Sequence, residues 1–311
     1  MNYRGRFAPS PTGPLHFGSL VAALASWLDA RAVRGSWVVR IEDLDAPRNV
    51  PGAADAILHT LEAFGLRWDE EVVYQSARID RYRSALDRLR AEGSAFGCGC
   101  TRAEIASRAL EGIDGPVYPG TCRNGVPAGR RARAWRARVD ARELAFDDRV
   151  QGRIAQHLQR DLGDFVVLRA DGVFAYQLAV VVDDAAQGIT DIVRGADLLD
   201  STPRQTWLRQ RLALPEPRHA HVPAATDRAG LKLSKQTHAA PVDARDAMAC
   251  LLRALAFLGQ PAPAPGAAGS VGDLLTHARE NWRIESVPRL RRYWLPDATT
   301  AASTSDRAAR A

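Results

Sequence analysis

The 311-residue chain reads as an α/β protein built on a parallel sheet, with an irregular insertion in the middle and helices near its end. Three observations predict this. Residues 3–42 alternate strand, loop, helix and strand. Residues 96–148 break the alternation with glycine, cysteine and a crowd of arginines. Residues 165–222 resume it before helical periodicity takes over.

Each element follows from its pattern. Residues 3–8 predict a short strand. Residues 9–19 (PSPTGPLHFGS) are turn-rich, and Ser19 is a plausible N-cap. Apolar residues at helical spacing predict a helix over 20–34, with Gly35 as its stop. The near-continuous apolar run WVVRI at 37–41 predicts a buried strand. In open parallel sheets, ligands bind at the carboxyl ends of the strands, so the loop at 9–19 is a candidate site. Further helices are expected over 53–64 and 78–92. Residues 165–169 and 174–182 read as strands joined at Asp171-Gly172, and 189–194 as another strand. A helix over 201–212 has Pro203 in its first turn. A short strand at 219–222 precedes a lysine loop. Helices over 242–258 and 271–282 are separated by GQPAPAPGAAGS, and the tail after Pro296 is small and polar. Residues 1–95 and 166–240 are thus expected to form two halves of one α/β domain. The insertion occupies 96–165, a helical C-terminal region 241–295 and a disordered tail 296–311.

Composition narrows the class. Hydrophobic residues make up 46% and charged residues 25%, as in ordinary globular proteins. No apolar run approaches the length of a membrane span, and the first residues lack the apolar segment of a signal peptide, so the expected location is cytoplasmic. A net charge of +6 suits an anionic partner such as RNA, although a general arginine surplus gives the same number. Of 42 basic residues, all but Lys232 and Lys235 are arginine, and those two lie together in KLSKQ. An ammonium is a compact point charge that a planar guanidinium does not copy. This stretch is therefore a candidate for ammonium chemistry.

Chemistry concentrates in three places. In the first loop, Pro9, Ser10, Gly13, His16 and Gly18 lead into a helix N-terminus, where backbone N–H groups receive phosphate. In the lysine loop, Lys232, Ser234 and Lys235 stand beside Gly230, and pre-placed cations stabilise charge on a transferring phosphoryl group. Within the insertion, Cys98, Cys100 and Cys122 point to a metal more than to disulfides, but three thiolates leave one tetrahedral position open. Cys250 lies on an apolar helix and reads as core. His59, His157 and His277 read as surface or satisfied core residues.

These segments together resemble the class I aminoacyl-tRNA synthetases of the glutamyl group. FAPSPTGPLHFGS at 7–19 resembles their HIGH-type loop, and KLSKQ at 232–236 their KMSKS loop. RIEDLD at 40–45, YQSARIDRY at 74–82, YQLAVVVDDAAQGITDIVRGADLL at 176–199 and STPRQ at 201–205 are similar too, in the family's order. Two positions depart from the pattern: Ser19 replaces the second histidine of HIGH, and Gln236 the last serine of KMSKS. Only 76 residues follow Lys235, too few for the anticodon-binding region of glutamyl-tRNA synthetases. The closer resemblance, carried also by LHFGSLVAAL and KLSKQTHA, is to their truncated paralogues, the glutamyl-Q tRNA(Asp) synthetases.

That resemblance implies a Rossmann-like catalytic domain that forms glutamyl-adenylate from ATP and L-glutamate without tRNA. The glutamyl group then passes to queuosine at the wobble position of the tRNA(Asp) anticodon stem-loop. It implies glutamate binding by Arg6, Phe7, Ala8, Pro9, Ser10, Glu42, Tyr176 and Arg194. It implies ATP binding by Pro9, Ser10, Gly13, His16, Gly18, Lys232, Ser234 and Lys235, with His16, Lys232 and Lys235 catalytic. Guanidinium suits carboxylate, so Arg6 and Arg194 are assigned the two carboxylates of the substrate and Glu42 its ammonium. One structural Zn²⁺ on Cys98, Cys100, Tyr118 and Cys122, and Mg²⁺ travelling with ATP, complete the implied cofactors. The implied enzyme is a monomer with no membrane partner, and its C-terminal helices contact the RNA stem. Asp183 and Asp184 are read as structural. The insertion arginines suit phosphate contacts or a solvated face equally. Three other readings stand beside this one. They are a truncated enzyme charging the acceptor end of tRNA(Glu) or tRNA(Gln), a non-catalytic tRNA-binding paralogue, and a small nucleotidyltransferase without an RNA substrate.

Overall fold

A computed structural model describes residues 2–113, 115–233 and 240–294. The chain opens with β1 (Arg4–Phe7), α1 (Phe17–Ala32), β2 (Ser36–Ile41), α2 (Ala53–Ala63), β3 (Val73–Tyr74) and α3 (Ile79–Ala91). There follow β4 (Ala95–Cys98), α4 (Arg102–Ala106), β5 (Leu110–Gly112), β6 (Gly115–Val117), β7 (Ala134–Ala137), β8 (Glu143–Asp148), β9 (Gly152–His157), α5 (Leu158–Asp161) and β10 (Val166–Leu168). The second half carries α6 (Tyr176–Ala186), β11 (Asp191–Gly195), α7 (Thr202–Arg211), β12 (Arg218–Val222), β13 (Ala224–Ala225), α8 (Ala247–Phe257), α9 (Val271–Glu280) and β14 (Arg292–Tyr293).

Strands β1, β2 and β3 pair in parallel, as do β11 and β12, and β8 joins β12 through the pair His219 and Asp148. The two sets meet where the Thr190 amide donates to the Arg4 carbonyl at 3.0 Å. The sheet therefore runs outward from β1 toward β2 on one side and from β11 toward β12 on the other. Where the winding direction reverses, the loops at the strands' carboxyl ends diverge and leave a crevice. Helix α1 covers this junction and buries Leu20, Val21, Leu24, Ala25 and Leu28. Its two buried polar side chains are satisfied: Ser26 accepts from the Trp37 indole, and Asp29 from Tyr3, Arg149 and Trp282. Helices α8 and α9 pack into the same core as α1 rather than around a core of their own. A second core joins α3, α6, α7 and the base of the insertion. The insertion itself is antiparallel, in the order β10, β7, β4.

Two expectations are corrected. The N-cap of α1 is His16, not Ser19: the His16 ring accepts from the Ser19 amide, and Ser19 is the third helical residue. The segment 174–182 is not a strand. Phe174 alone bridges Leu168, and a helix begins at Tyr176. Leu178, Ala179, Val180 and Val181 are all buried, so the helix is apolar around most of its circumference and shows no amphipathic period. A continuous apolar run does not separate a buried strand from a buried helix, and the run of valines tipped the expectation toward strand. The helix expected from 242 starts at Ala247, after a short 3₁₀ turn. Ser234, Lys235, Gln236 and the tail from 295 lie outside the described residues.

Candidate functional site

The crevice is built where β1 and β11 end side by side. Arg6 projects from β1 and Arg194 from β11, and each is almost wholly buried. Burying a guanidinium is costly unless its charge and its donors are matched. The protein solves this differently for the two residues.

For Arg6 the match is an acid. Asp184, fully buried on α6, accepts from Arg6 Nε at 3.2 Å, Arg40 at 2.9 Å and Arg209 at 3.2 Å. Burial alone would raise this carboxyl. The Arg6, Arg40 and Arg209 guanidiniums outweigh it and hold the group below the usual carboxylate range. Its neighbour Asp183 accepts from Gln75, Arg78 and Tyr82 and ties α6 to α3. Both aspartates lie on a helix; Asp183 ties that helix to α3, whereas Asp184 holds Arg6 and so anchors the pocket, a part beyond the purely structural one expected. Glu42, just past β2, is held by Arg40 at 3.3 Å. Burial pushes its carboxyl up, and Arg40 and Arg6 only partly oppose this.

Arg194 has no acid. Among the described residues its partners are neutral: the Tyr176 hydroxyl at 3.1 Å, Thr202 Oγ1 and Gln205 Oε1 at 2.9 Å each, the Leu198 carbonyl at 3.3 Å and His221 Nε2 at 2.9 Å. Each of its three nitrogens has a neutral partner, Nη1 having one for its two N–H groups, and no acid is among those partners. Tyr176 joins the two halves, because its half-buried hydroxyl feels Arg194, Glu42 and Arg6 together. Burial is the main influence on it and raises its hydroxyl pKa. The predicted set Arg6, Glu42, Tyr176 and Arg194 is thus brought together at one end of the sheet. Phe7 ends β1, and Ala8, Pro9 and Ser10 continue from it, with the Pro9 carbonyl accepting from the Glu42 amide at 2.9 Å.

The loop from Pro9 to His16 runs from this pocket to the start of α1. Gly13 takes a backbone angle of φ 136°, which an L side chain rarely adopts, so the loop turns there. Gly18 sits against the His16 ring, and a Cβ at that position would lie 3.2 Å from it. Ser19 Oγ meets His16 Nε2 at 3.0 Å. The lysine loop flanks the same place. Leu233 donates to the Ala225 carbonyl on one arm, and on the other arm Pro241 bridges His16 and the Val242 amide donates to the Leu15 carbonyl. Lys232 pairs with Asp197 at 2.5 Å. Lys235 and Ser234 fall between these arms and outside the described residues.

A separate constellation lies in the insertion. The Sγ atoms of Cys98, Cys100 and Cys122 are all within 4.8 Å of one another, and those of Cys100 and Cys122 are 3.6 Å apart. The Tyr118 hydroxyl lies 3.3 Å from Cys98 Sγ and 3.6 Å from Cys100 Sγ. Ligands at about 2.3 Å around a tetrahedral ion stand roughly 3.8 Å from one another, so the three sulfurs are close enough to hold a metal ion. The Arg136 guanidinium covers the outer face of Tyr118 at 4.0 Å.

Several residues at the crevice were not anticipated from the sequence. Thr202 and Gln205 lie in STPRQ, a segment noted without a role. His221 and Asp148 gave no signal at all, since their contact joins positions 73 residues apart.

The match to known proteins covers the same ground. The family model for class I tRNA synthetases (E and Q), catalytic domain, matches residues 2–251. The chain is 61% identical to the glutamyl-Q tRNA(Asp) synthetase of Dechloromonas aromatica over 296 residues, covering 94% of this chain and 98% of that one. It is 60% identical to the protein of the same name from Chromobacterium violaceum, covering 92% and 95%. Among solved structures, the glutamate-tRNA synthetase of Elizabethkingia anophelis superposes with a TM-score of 0.78 at 23% identity, over 99% of this chain and 70% of that one. That likeness is one of fold. With a catalytic-domain match over most of its length and such identity to relatives it spans almost end to end, this chain belongs to the class I tRNA synthetases of the glutamyl and glutaminyl group, in the glutamyl-Q tRNA(Asp) synthetase family.

Proposed function

We propose that this chain is an ATP-dependent ligase that activates L-glutamate and passes the glutamyl group to queuosine at the wobble position of tRNA(Asp). The observation that carries the substrate reading is Arg194: a buried guanidinium whose hydrogen-bond partners among the described residues are all neutral. A dicarboxylic amino acid fits the pocket's charges. Arg194 and Arg6 take the two carboxylates, Glu42 takes the ammonium, and Tyr176 bridges them. The transfer reading rests on the names carried by close relatives.

In the first step the α-carboxylate of glutamate attacks the α-phosphorus of ATP, forming glutamyl-adenylate and releasing pyrophosphate. The triphosphate lies over the 9–19 loop and the start of α1. His16, Lys232 and Lys235 offset the charge that grows on the phosphates, and preorganised donors of this kind are worth the most where water is excluded. Pro9, Ser10, Gly13, Gly18 and Ser234 shape the nucleotide's bed. Mg²⁺ would come with ATP and would offset charge on its phosphates. In the second step a hydroxyl of the queuosine cyclopentenediol attacks the activated carbonyl, and positioning supplies most of the rate. Cys98, Cys100, Tyr118 and Cys122 would hold a structural zinc ion, which would brace the insertion. The enzyme works as a cytoplasmic monomer on the anticodon stem-loop.

Glutamate-dependent ATP–pyrophosphate exchange without tRNA tests the first step. The Lys235→Ala variant is expected to lose roughly a hundredfold in rate. An unchanged rate removes the lysine from the mechanism. Transfer of labelled glutamate to queuosine-containing but not queuosine-free tRNA(Asp) tests the second step. Labelling of the acceptor end of tRNA(Glu) would refute it.

A further inference from the structure

Behind Arg194 lies a buried pair that the proposed chemistry does not use. His221 on β12 is fully buried, and its Nδ1 meets Asp148 Oδ2 at 2.6 Å, both groups being sealed from solvent. On its other side Nε2 lies 2.9 Å from Arg194 Nε and 3.3 Å from Thr202 Oγ1. An arginine Nε–H only donates, so His221 Nε2 must accept and the ring proton must sit on Nδ1. Asp148 enforces that choice, because a carboxylate at Nδ1 accepts only. Its other oxygen is committed to the backbone amides of Val150, Gln151 and His221, which locks the carboxylate in place.

We infer that Asp148 and His221 are positioning residues for Arg194: the carboxylate fixes the imidazole tautomer, and the tautomer aims the guanidinium at the substrate carboxylate. The proposal rests on the glutamate-activating role and deepens it. The charged and titratable groups facing the ring are Asp148, Arg194 and the stacked His219, 6.1 Å away. Burial, aided by Arg194 and His219 against the opposing pull of Asp148, brings His221 down to about 3. The ring is therefore neutral wherever the enzyme works, and Nε2 keeps its lone pair. A doubly protonated ring would turn a proton against Arg194 and break the alignment. A metal ligand or a general base at His221 is excluded by the same geometry, since both ring nitrogens are engaged inside the protein.

The discriminating variant is Asp148→Asn. The amide oxygen of asparagine still serves the three backbone N–H groups, but its NH₂ replaces the oxygen facing Nδ1. The imidazole must then carry its proton on Nε2, directly against Arg194 Nε–H. In glutamate-dependent ATP–pyrophosphate exchange, D148N is expected to raise KM for glutamate about ten- to a hundredfold, the worth of a hydrogen bond to a charged group. KM for ATP should stay within about twofold. His221→Gln, which offers an amide oxygen near the Nε2 position, should rescue D148N in the double variant. If D148N folds poorly, His221→Leu is the second probe, because it removes the acceptor and keeps apolar bulk. The same selective loss is expected. The proposal is overturned if wild-type protein exchanges with glutamate while D148N and H221L leave KM for glutamate unchanged. It is equally overturned if they move both KM values together, as general loosening would. Absence of exchange in the wild type removes the glutamate-activating role itself, and this proposal with it.

Discussion

Asp184 concentrates more of the site's energetics than any group that would touch substrate. Among the described residues it is the one acid within hydrogen-bond reach of Arg6 and of Arg209, and one of three near Arg40. Asp184→Asn keeps the shape, removes the charge and leaves three buried guanidiniums facing a neutral amide. Breaking one side of a buried ion pair costs about 3–5 kcal/mol, because the remaining charge is uncompensated. Against a total stability of roughly 5–15 kcal/mol, that is a large fraction. With a urea slope of about 3 kcal/mol/M, the midpoint should fall by about 1–1.7 M. The pH dependence gives a signature. A carboxyl whose folded pKa is depressed stabilises above its unfolded pKa, and that contribution is lost as pH falls toward the folded value. The gap between wild type and D184N should be flat above about pH 4 and narrow only in more acid solution. Because Arg6 is released, KM for glutamate should rise as well. Urea titrations followed by far-UV circular dichroism measure the first effect. A D184N midpoint within about 0.3 M of wild type at neutral pH, with an unchanged slope, would refute the reasoning.

Two further outcomes follow from the geometry. Glu42 must be a carboxylate to hold the substrate ammonium, and burial raises its pKa, so KM for glutamate should climb as pH falls, starting at a higher pH than an exposed glutamate would give. In Glu42→Gln the acid limb should vanish and KM should be high throughout; a wild-type KM that is flat with pH counts against this role. Chelation of the metal should release one zinc ion per chain and expose the insertion to trypsin before the rest of the fold, as should Cys122→Ser. Metal analysis showing no zinc in freshly purified protein, with proteolysis unchanged by chelator, rejects the site.

What was legible in the sequence was what is local. The β1–α1–β2 unit, the Cys-x-Cys pair and the two isolated lysines announced themselves within short windows. Arg6 and Arg194 were found by residue type and motif, although their strands lie side by side across 188 positions, a neighbourhood that no periodicity encodes. The misread helix at Tyr176 shows where pattern fails: an element enclosed on all sides has no polar face to set its period. The His16 cap was missed for a related reason. Serine is the commoner cap, and here the helix starts three residues earlier because a ring nitrogen does the work of a hydroxyl. Asp148 and His221 were illegible because a long-range tautomer lock leaves no trace in composition or spacing.

Strand β14 lies alongside β13 in parallel, Arg292 beside Ala224 and Tyr293 beside Ala225, and the Tyr293 carbonyl receives the Thr226 amide at the root of the lysine hairpin. Thr226 in turn bridges Lys232. Losing residues 292–293 would therefore remove the partner of the Thr226 amide and loosen the root of the hairpin that carries Lys232.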